Sequence, residues 1–122
     1  MHEFSLATTL LDTIWEIAKQ NNITRIKKVV VKFGIFALVM EDQFKFSFDM
    51  IKEEEEITKD AELEIIWENG LIKCNNCGYE GETKPLPGSE YGLALLLKCP
   101  NCNSSDISII KGTETYIDRI EF

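Results

Sequence analysis

Cys74-Asn75-Asn76-Cys77-Gly78 and Cys99-Pro100-Asn101-Cys102-Asn103 contain all four cysteines of the chain, in two Cys-x-x-Cys pairs. Four soft thiolates suffice to close a tetrahedral metal shell, and each pair can clasp one side of an ion from a tight turn. With Zn–S bonds of about 2.3 Å such a shell leaves no open position, so it supports structure rather than reaction. The spacer from Gly78 to Lys98 runs slightly beyond the usual separation of about 15–20 residues, an extended form of a specific motif. Gly78 follows Cys77 and tolerates the positive φ that a metal-gripping turn needs. Asn103, the next most permissive residue, stands at the equivalent place after Cys102. Pro100 stiffens the second turn by fixing φ.

Other uses of four cysteines fit less well. Two disulfides are not expected, because Met1-His2-Glu3 lacks the basic start of a secretory signal. A redox Cys-x-x-Cys usually comes singly, near a βαβ pattern. An iron centre uses the same four thiolates, and the sequence leaves it open. Zinc is the favoured reading.

Length and charge narrow the class. The chain has 122 residues, enough for one small core plus a metal-held module, and its 44% apolar content is ordinary for a globular protein. It has no apolar run long enough to span a bilayer, so no membrane role and a cytoplasmic location are expected. Acidic residues number 21 against 13 basic, for a net charge of −8. Phosphate binding draws its affinity from Lys and Arg, so nucleic acid is disfavoured. The charge suits a cation or a basic protein partner instead. Lys27, Lys28 and Lys32 flank a valine run and read as the solvated part of a strand.

The periodicities suggest an α+β fold, two helices on a three-stranded sheet, with an inserted four-cysteine zinc-ribbon module. Ala7, Leu10, Leu11, Ile14, Trp15 and Ala18 place one wide apolar face on a helix over Phe4 to Gln20, ended by Asn21-Asn22. Thr24 to Phe33 reads as a strand stopped by Gly34, and Val29-Val30-Val31 suggests partial burial on both faces. Phe44, Phe46 and Phe48 alternate like a strand, yet Phe44, Phe48 and Ile51 fit a helical stripe. A helix from about Glu41 to Glu56 is preferred, with acidic residues in its first turn and no Gly or Pro. Its Glu53–Glu56 end reads as solvated surface.

Ala61 to Trp67 reads as a strand with Leu63, Ile65 and Trp67 on its covered face, and Asn69-Gly70 as a turn. Pro85, Pro87 and Gly88 interrupt the module, and Leu93 to Leu97 suggests a strand over the metal. Thr113 to Phe122 closes the chain as a strand, with Tyr116, Ile120 and Phe122 on one side. It is placed back in the first sheet. The domains are thus residues 1–70 plus 113–122, and residues 71–112.

The only histidine is His2. Alone, a histidine near a terminus carries little information, but its chemistry is suggestive. The Met1 α-amine, the His2 amide nitrogen and the His2 Nδ1 can close five- and six-membered chelate rings, and the Glu3 amide can add a fourth nitrogen. Four nitrogens in a plane suit Ni(II) or Cu(II). Amide nitrogens bind only when deprotonated, so such binding releases protons and weakens in acid.

Met1-His2-Glu3-Phe4-Ser5-Leu6, the two cysteine pairs, the segment from Glu41 to Ile66 and the tail Gly112-Thr113-Glu114 with Ile117 and Ile120-Glu121 together resemble the HypA/HybF family of hydrogenase-maturation nickel metallochaperones. The resemblance runs through essentially the whole chain in order. It implies a small cytoplasmic protein, a monomer or weak homodimer, that delivers Ni(II) as cargo during [NiFe]-hydrogenase assembly. It also implies a nickel-binding α/β domain and a domain with structural Zn(II). By position, the nickel ligands would be the Met1 amine, the His2 amide and imidazole, and the Glu3 amide; the zinc ligands would be Cys74, Cys77, Cys99 and Cys102. The implied partners are a nickel-binding GTPase and the hydrogenase large subunit, and some family members also support urease. The spacer here is longer than in many members and contains no histidine.

Two rival readings keep the zinc and drop the nickel: a protein-binding zinc-ribbon adaptor and a nucleic-acid-binding ribbon. An enzyme is not expected, since a closed thiolate shell offers no place for a reacting water.

Overall fold

A computed structural model describes residues 2–83 and 98–122. Helix α1 (His2–Gln20) buries Ala7, Leu10, Leu11, Ile14 and Ala18 along one stripe, while Trp15 at its margin is half-buried. The helix ends through Asn22, which takes the left-handed conformation at φ 56°. The Ile23 N–H donates to the Ala18 carbonyl at 2.8 Å and the Asn22 N–H to the Lys19 carbonyl at 3.4 Å, a helix end that glycine favours and asparagine tolerates.

Strand β1 (Lys28–Gly34) starts later than the β-branched run suggested. Before it, the Ile26 N–H donates to the Ile57 carbonyl in a loop, so the chain around Thr24 is not yet in the sheet. Val29, Val30 and Val31 are fully buried, more completely than the partial burial the run suggests.

The phenylalanine segment is a helix, α2 (Glu41–Ile51). Phe44, Phe48 and Ile51 are buried and Phe46 is 68% exposed, a helical pattern rather than an alternating one. The Phe44 and Phe48 rings stack with centroids 6.2 Å apart. The α-helix stops at Ile51, short of Glu56, and continues as a 3-10 turn over Lys52–Glu54. Two causes are visible. The Thr58 hydroxyl takes the Lys52 carbonyl at 2.7 Å, and successive glutamates are disfavoured at the negative end of a helix. On the outer side, Phe46 and Met50 stay exposed and line an open apolar cleft with Phe4.

Strands β2 (Glu62–Glu68) and β6 (Thr115–Glu121) flank β1 in the order β2-β1-β6, so the last strand returns to the first sheet. The single covered face expected of β2 does not stand out: Leu63 to Glu68 are all half-buried, and Glu64 is drawn to Lys28. In β6 two successive exposed residues, Asp118 and Arg119, break the alternation. Tyr116 and Phe122 are exposed and Ile120 is half-buried.

The second sheet joins β3 (Gly70–Cys74), β4 (Glu80–Thr83) and β5 (Ile107–Lys111) in the order β4-β3-β5. Both pairings are antiparallel, with Ile72 opposite Gly81 on one side and Ile109 on the other, and the β3–β5 register shifts between Leu71 and Ile72. The strand expected over Leu93 to Leu97, like Pro85, Pro87 and Gly88, lies outside the described residues.

The chain divides into two compact units. The first comprises Met1–Val31, Val39–Ile66 and Tyr116–Phe122; the second comprises Lys32–Leu38 and Trp67–Thr115. The second has a small core of its own, where Ile35, Phe36 and Ile72 are packed by Trp67 and Ile107. Trp67 meets Phe33 edge-on at 5.2 Å. Backbones approach closely nearby: Gly112 has φ 115°, and a Cβ on it would lie 2.9 Å from the Gly70 Cα and 3.0 Å from the Phe36 ring. A Cβ on Gly34 would overlap the Gly112 carbonyl, which accepts the Phe36 N–H at 2.8 Å. Among the described residues no helix is long and apolar enough to cross a membrane.

Candidate metal centre

Strand β3 delivers Cys74, buried, to the first turn. The Cys74 N–H donates to the Tyr79 carbonyl at 2.7 Å and the Gly78 N–H to the Cys74 carbonyl at 3.1 Å, with Gly78 at φ 79°. The second turn repeats this scheme. The Cys99 N–H donates to the Ser104 carbonyl at 2.9 Å and the Asn103 N–H to the Cys99 carbonyl at 2.8 Å, with Asn103 at φ 63°. The positive φ that the sequence placed at Gly78 and Asn103 is present at both. Asn75 fastens the first turn to the approach of β5: its N–H meets the Asp106 carbonyl at 2.9 Å and its Nδ2 the Asp106 carboxylate at 3.1 Å.

The two turns bring the four cysteines together. All four Sγ atoms lie within 4.8 Å of one another, with Cys74–Cys102 at 3.6 Å and Cys77–Cys99 at 3.7 Å. Sulphurs about 2.3 Å from a central zinc sit about 3.8 Å apart in a tetrahedron, so this set fits a four-coordinate ion. A disulfide needs about 2.05 Å, and all four are free thiols. Cys74 and Cys99 are buried, whereas Cys77 and Cys102 face solvent.

Hydrogen bonds differentiate the sulphurs. Cys74 Sγ accepts the Asn76 and Cys77 N–H groups at 3.4 and 3.5 Å; Cys99 Sγ accepts those of Asn101 and Cys102 at 3.3 and 3.5 Å. The outer sulphurs receive side chains from across the cluster, Asn101 Nδ2 on Cys77 at 3.4 Å and Asn76 Nδ2 on Cys102 at 3.6 Å. The Asn101 amide and the Tyr79 N–H bring the Cys77 thiol down to about 6. The Asn76 amide and the Ser104 N–H lower Cys102 likewise. For Cys74 the largest single influence, the Cys77 N–H, pulls down, but burial and the neighbouring thiols together raise it to about 11. Sequence reading passed over Asn76 and Asn101, although both hold the third position of their turns, a repeat visible in the sequence.

The other predicted ligands are at the start of α1. His2 is its first residue, Glu3 lies in its first turn, and Met1 and the His2 side chain are outside the described residues. The Glu3 side chain is buried, and its Oε2 accepts the Met40 N–H at 3.0 Å.

A family model described as hydrogenase/urease nickel incorporation, metallochaperone, hypA, matches residues 1–122. The chain belongs to the HypA family. The HypA maturation factor of Francisella philomiragia is 34% identical over 122 residues, covering all of this chain and 99% of its own. That of Methanocella arvoryzae is 37% identical over 121 residues, covering 99% and 97%. The solution structure of the nickel metallochaperone HypA from Helicobacter pylori superposes with a TM-score of 0.66 at 28% identity, covering 99% of this chain and 97% of that one. This HypA-family chain is accordingly a metallochaperone of nickel incorporation and hydrogenase maturation, and not an enzyme. The resemblance read from its two ends and its cysteine pairs is borne out.

Proposed function

We propose that the chain binds Ni(II) through its first three residues and delivers it during [NiFe]-hydrogenase assembly, while Cys74, Cys77, Cys99 and Cys102 hold a structural zinc. The observation that carries this reading is the family match through residues 1–122, which takes in Met1-His2-Glu3 and both cysteine pairs together. The nickel ligands are the Met1 amine, the His2 amide and Nδ1, and the Glu3 amide. Their position supports this: the first N–H groups of an α-helix have no acceptor within it, so deprotonating those of His2 and Glu3 breaks no helical hydrogen bond. The buried Glu3 carboxylate anchors that turn from its other side.

The thiolate set supports zinc as the resident ion, since four sulphurs within 4.8 Å of one another can close its shell. In this reading residues 1–70 with 113–122 form the nickel-binding domain and residues 71–112 the zinc domain. The protein acts in the cytoplasm, as a monomer or weak homodimer. Its partners are a nickel-binding GTPase and the hydrogenase large subunit.

Calorimetric titration of Ni(II) into zinc-loaded protein with a native N-terminus tests this, beside His2→Ala and a form with one residue added before Met1. One nickel bound with proton release in the native protein alone is expected. Equal binding by all three forms refutes the ligand set and returns the zinc-ribbon adaptor.

A further inference from the structure

The cysteine cluster is hydrogen-bonded in two different ways. Its buried sulphurs, Cys74 and Cys99, accept only backbone N–H groups of their own turns among the contacts described above. Such bonds follow from the turn itself and survive a change of side chain. The exposed sulphurs, Cys77 and Cys102, each receive the side-chain amide of an asparagine on the opposite turn. Those two bonds depend on residue choice, and they fall on the two cysteines of the set that are not buried.

We propose that Asn76 and Asn101 shield the metal-bound thiolates of Cys102 and Cys77 from electrophiles, each acting across the centre on the other turn's sulphur. This rests on the reading of the cluster as a zinc site. The nucleophile of a metal-bound thiolate is a sulphur lone pair that the metal does not use. An N–H aimed at that pair stabilises it by a charge-assisted hydrogen bond, and an attacking carbon must displace the donor before it can bond. The bonds also lock the turns to each other, since each asparagine belongs to one Cys-x-x-Cys and binds the sulphur of the other. Both asparagines are exposed, so replacing them leaves the core of the unit untouched.

Iodoacetamide is the probe. A cysteine sulphur attacks its methylene carbon, the S–C bond forms as the C–I bond breaks, and iodide leaves. The neutral thioether product holds zinc poorly. Zinc-loaded full-length protein is labelled at neutral pH, and the modified cysteine is located by peptide mass spectrometry at early times. Asn76→Ala should accelerate labelling of Cys102 by about tenfold and leave Cys77 nearly unchanged, while Asn101→Ala does the reverse. Asn76→Asp keeps the shape but replaces the donor with an acceptor, so it should also accelerate Cys102; a wild-type rate there would mean that bulk, not donation, protects the sulphur.

Unchanged rates, or acceleration spread evenly over the cysteines, overturn the proposal. Zinc content is measured first on every form. Wild-type protein that holds no zinc refutes the metal reading and this inference with it. One zinc per chain with uncrossed labelling refutes only the role of the asparagines. A variant that sheds its zinc and labels at all four cysteines shows a structural role and likewise counts against shielding.

Discussion

The Glu3 carboxylate accepts the Met40 N–H through Oε2 at 3.0 Å, tying the first turn of α1 to the residue that caps α2. Met40 has extended backbone, and its own side chain makes no capping hydrogen bond. The Glu3 carboxylate brings negative charge to the positive end of the helix. Glu3→Ala should lower stability by about 1–3 kcal/mol in urea denaturation, the range for losing a charged hydrogen bond to a part-buried donor. Glu3→Gln, which keeps an acceptor, should lose less. Equal losses would place the effect in the negative charge of the carboxylate rather than in the presence of an acceptor.

Thr58 is fully buried and serves two partners. It accepts the Trp15 Nε1–H at 2.9 Å and donates to the Lys52 carbonyl at 2.7 Å. Thr58→Val keeps the shape and strands both groups, so a loss of about 1–3 kcal/mol is expected. The change should shift Trp15 emission in the native state, because the indole loses its described partner. Unaltered stability would show that water replaces the hydroxyl.

Removing the metal should act unevenly. The second unit has a small core, so under the proposed zinc reading four thiolates around one ion would supply a large part of what organises its turns. A strong chelator should raise amide exchange in β3, β4 and β5 while exchange within α1 and α2 stays slow. Uniform acceleration through both units would refute the separation.

Lys28 and Glu64 form a surface ion pair with pH limits on both sides. The Lys28 hydrogen bond and charge hold the Glu64 carboxyl below its usual 4.5, and Glu64 in turn raises Lys28 above 10.5. A lowered carboxylate stabilises the fold above its unfolded value and loses that contribution as pH falls through the folded one. A raised ammonium stabilises below its unfolded value and loses it as pH rises through the folded one. Lys28→Met should therefore return Glu64 toward 4.5 in an NMR titration. The stability difference from wild type should be small, because solvent screens the pair, and should vanish in acid. A Glu64 titration unmoved by the substitution would show that the pair is not formed in solution.

Much of the fold was legible because burial writes itself into spacing. The α1 stripe, the Val29–Val31 run and the return of the last strand depend on periods that sequence carries directly. What failed depended on distant partners. The end of α2 is set by a hydroxyl on Thr58, beyond the helix, and the late start of β1 by a hydrogen bond from Ile26 to Ile57. The cysteine cluster was readable because ligand type and turn residue are local choices. Its crossed asparagine bonds were not, since they need both turns to be placed in space.

Gly34 and Gly112 meet backbone to backbone, with Gly70 beside them and no side chain between. In a library of single substitutions, both positions would therefore be as intolerant as Cys74 or Cys99, without touching any metal. The two kinds of intolerance should be separable by which amino acids restore fitness. A ligand position can accept histidine, another donor, whereas Gly112 excludes every L side chain alike through its φ and its neighbours. A scan scored only by loss of function would thus outline a steric knot and a coordination shell as one site, and only the pattern of tolerated residues would divide them.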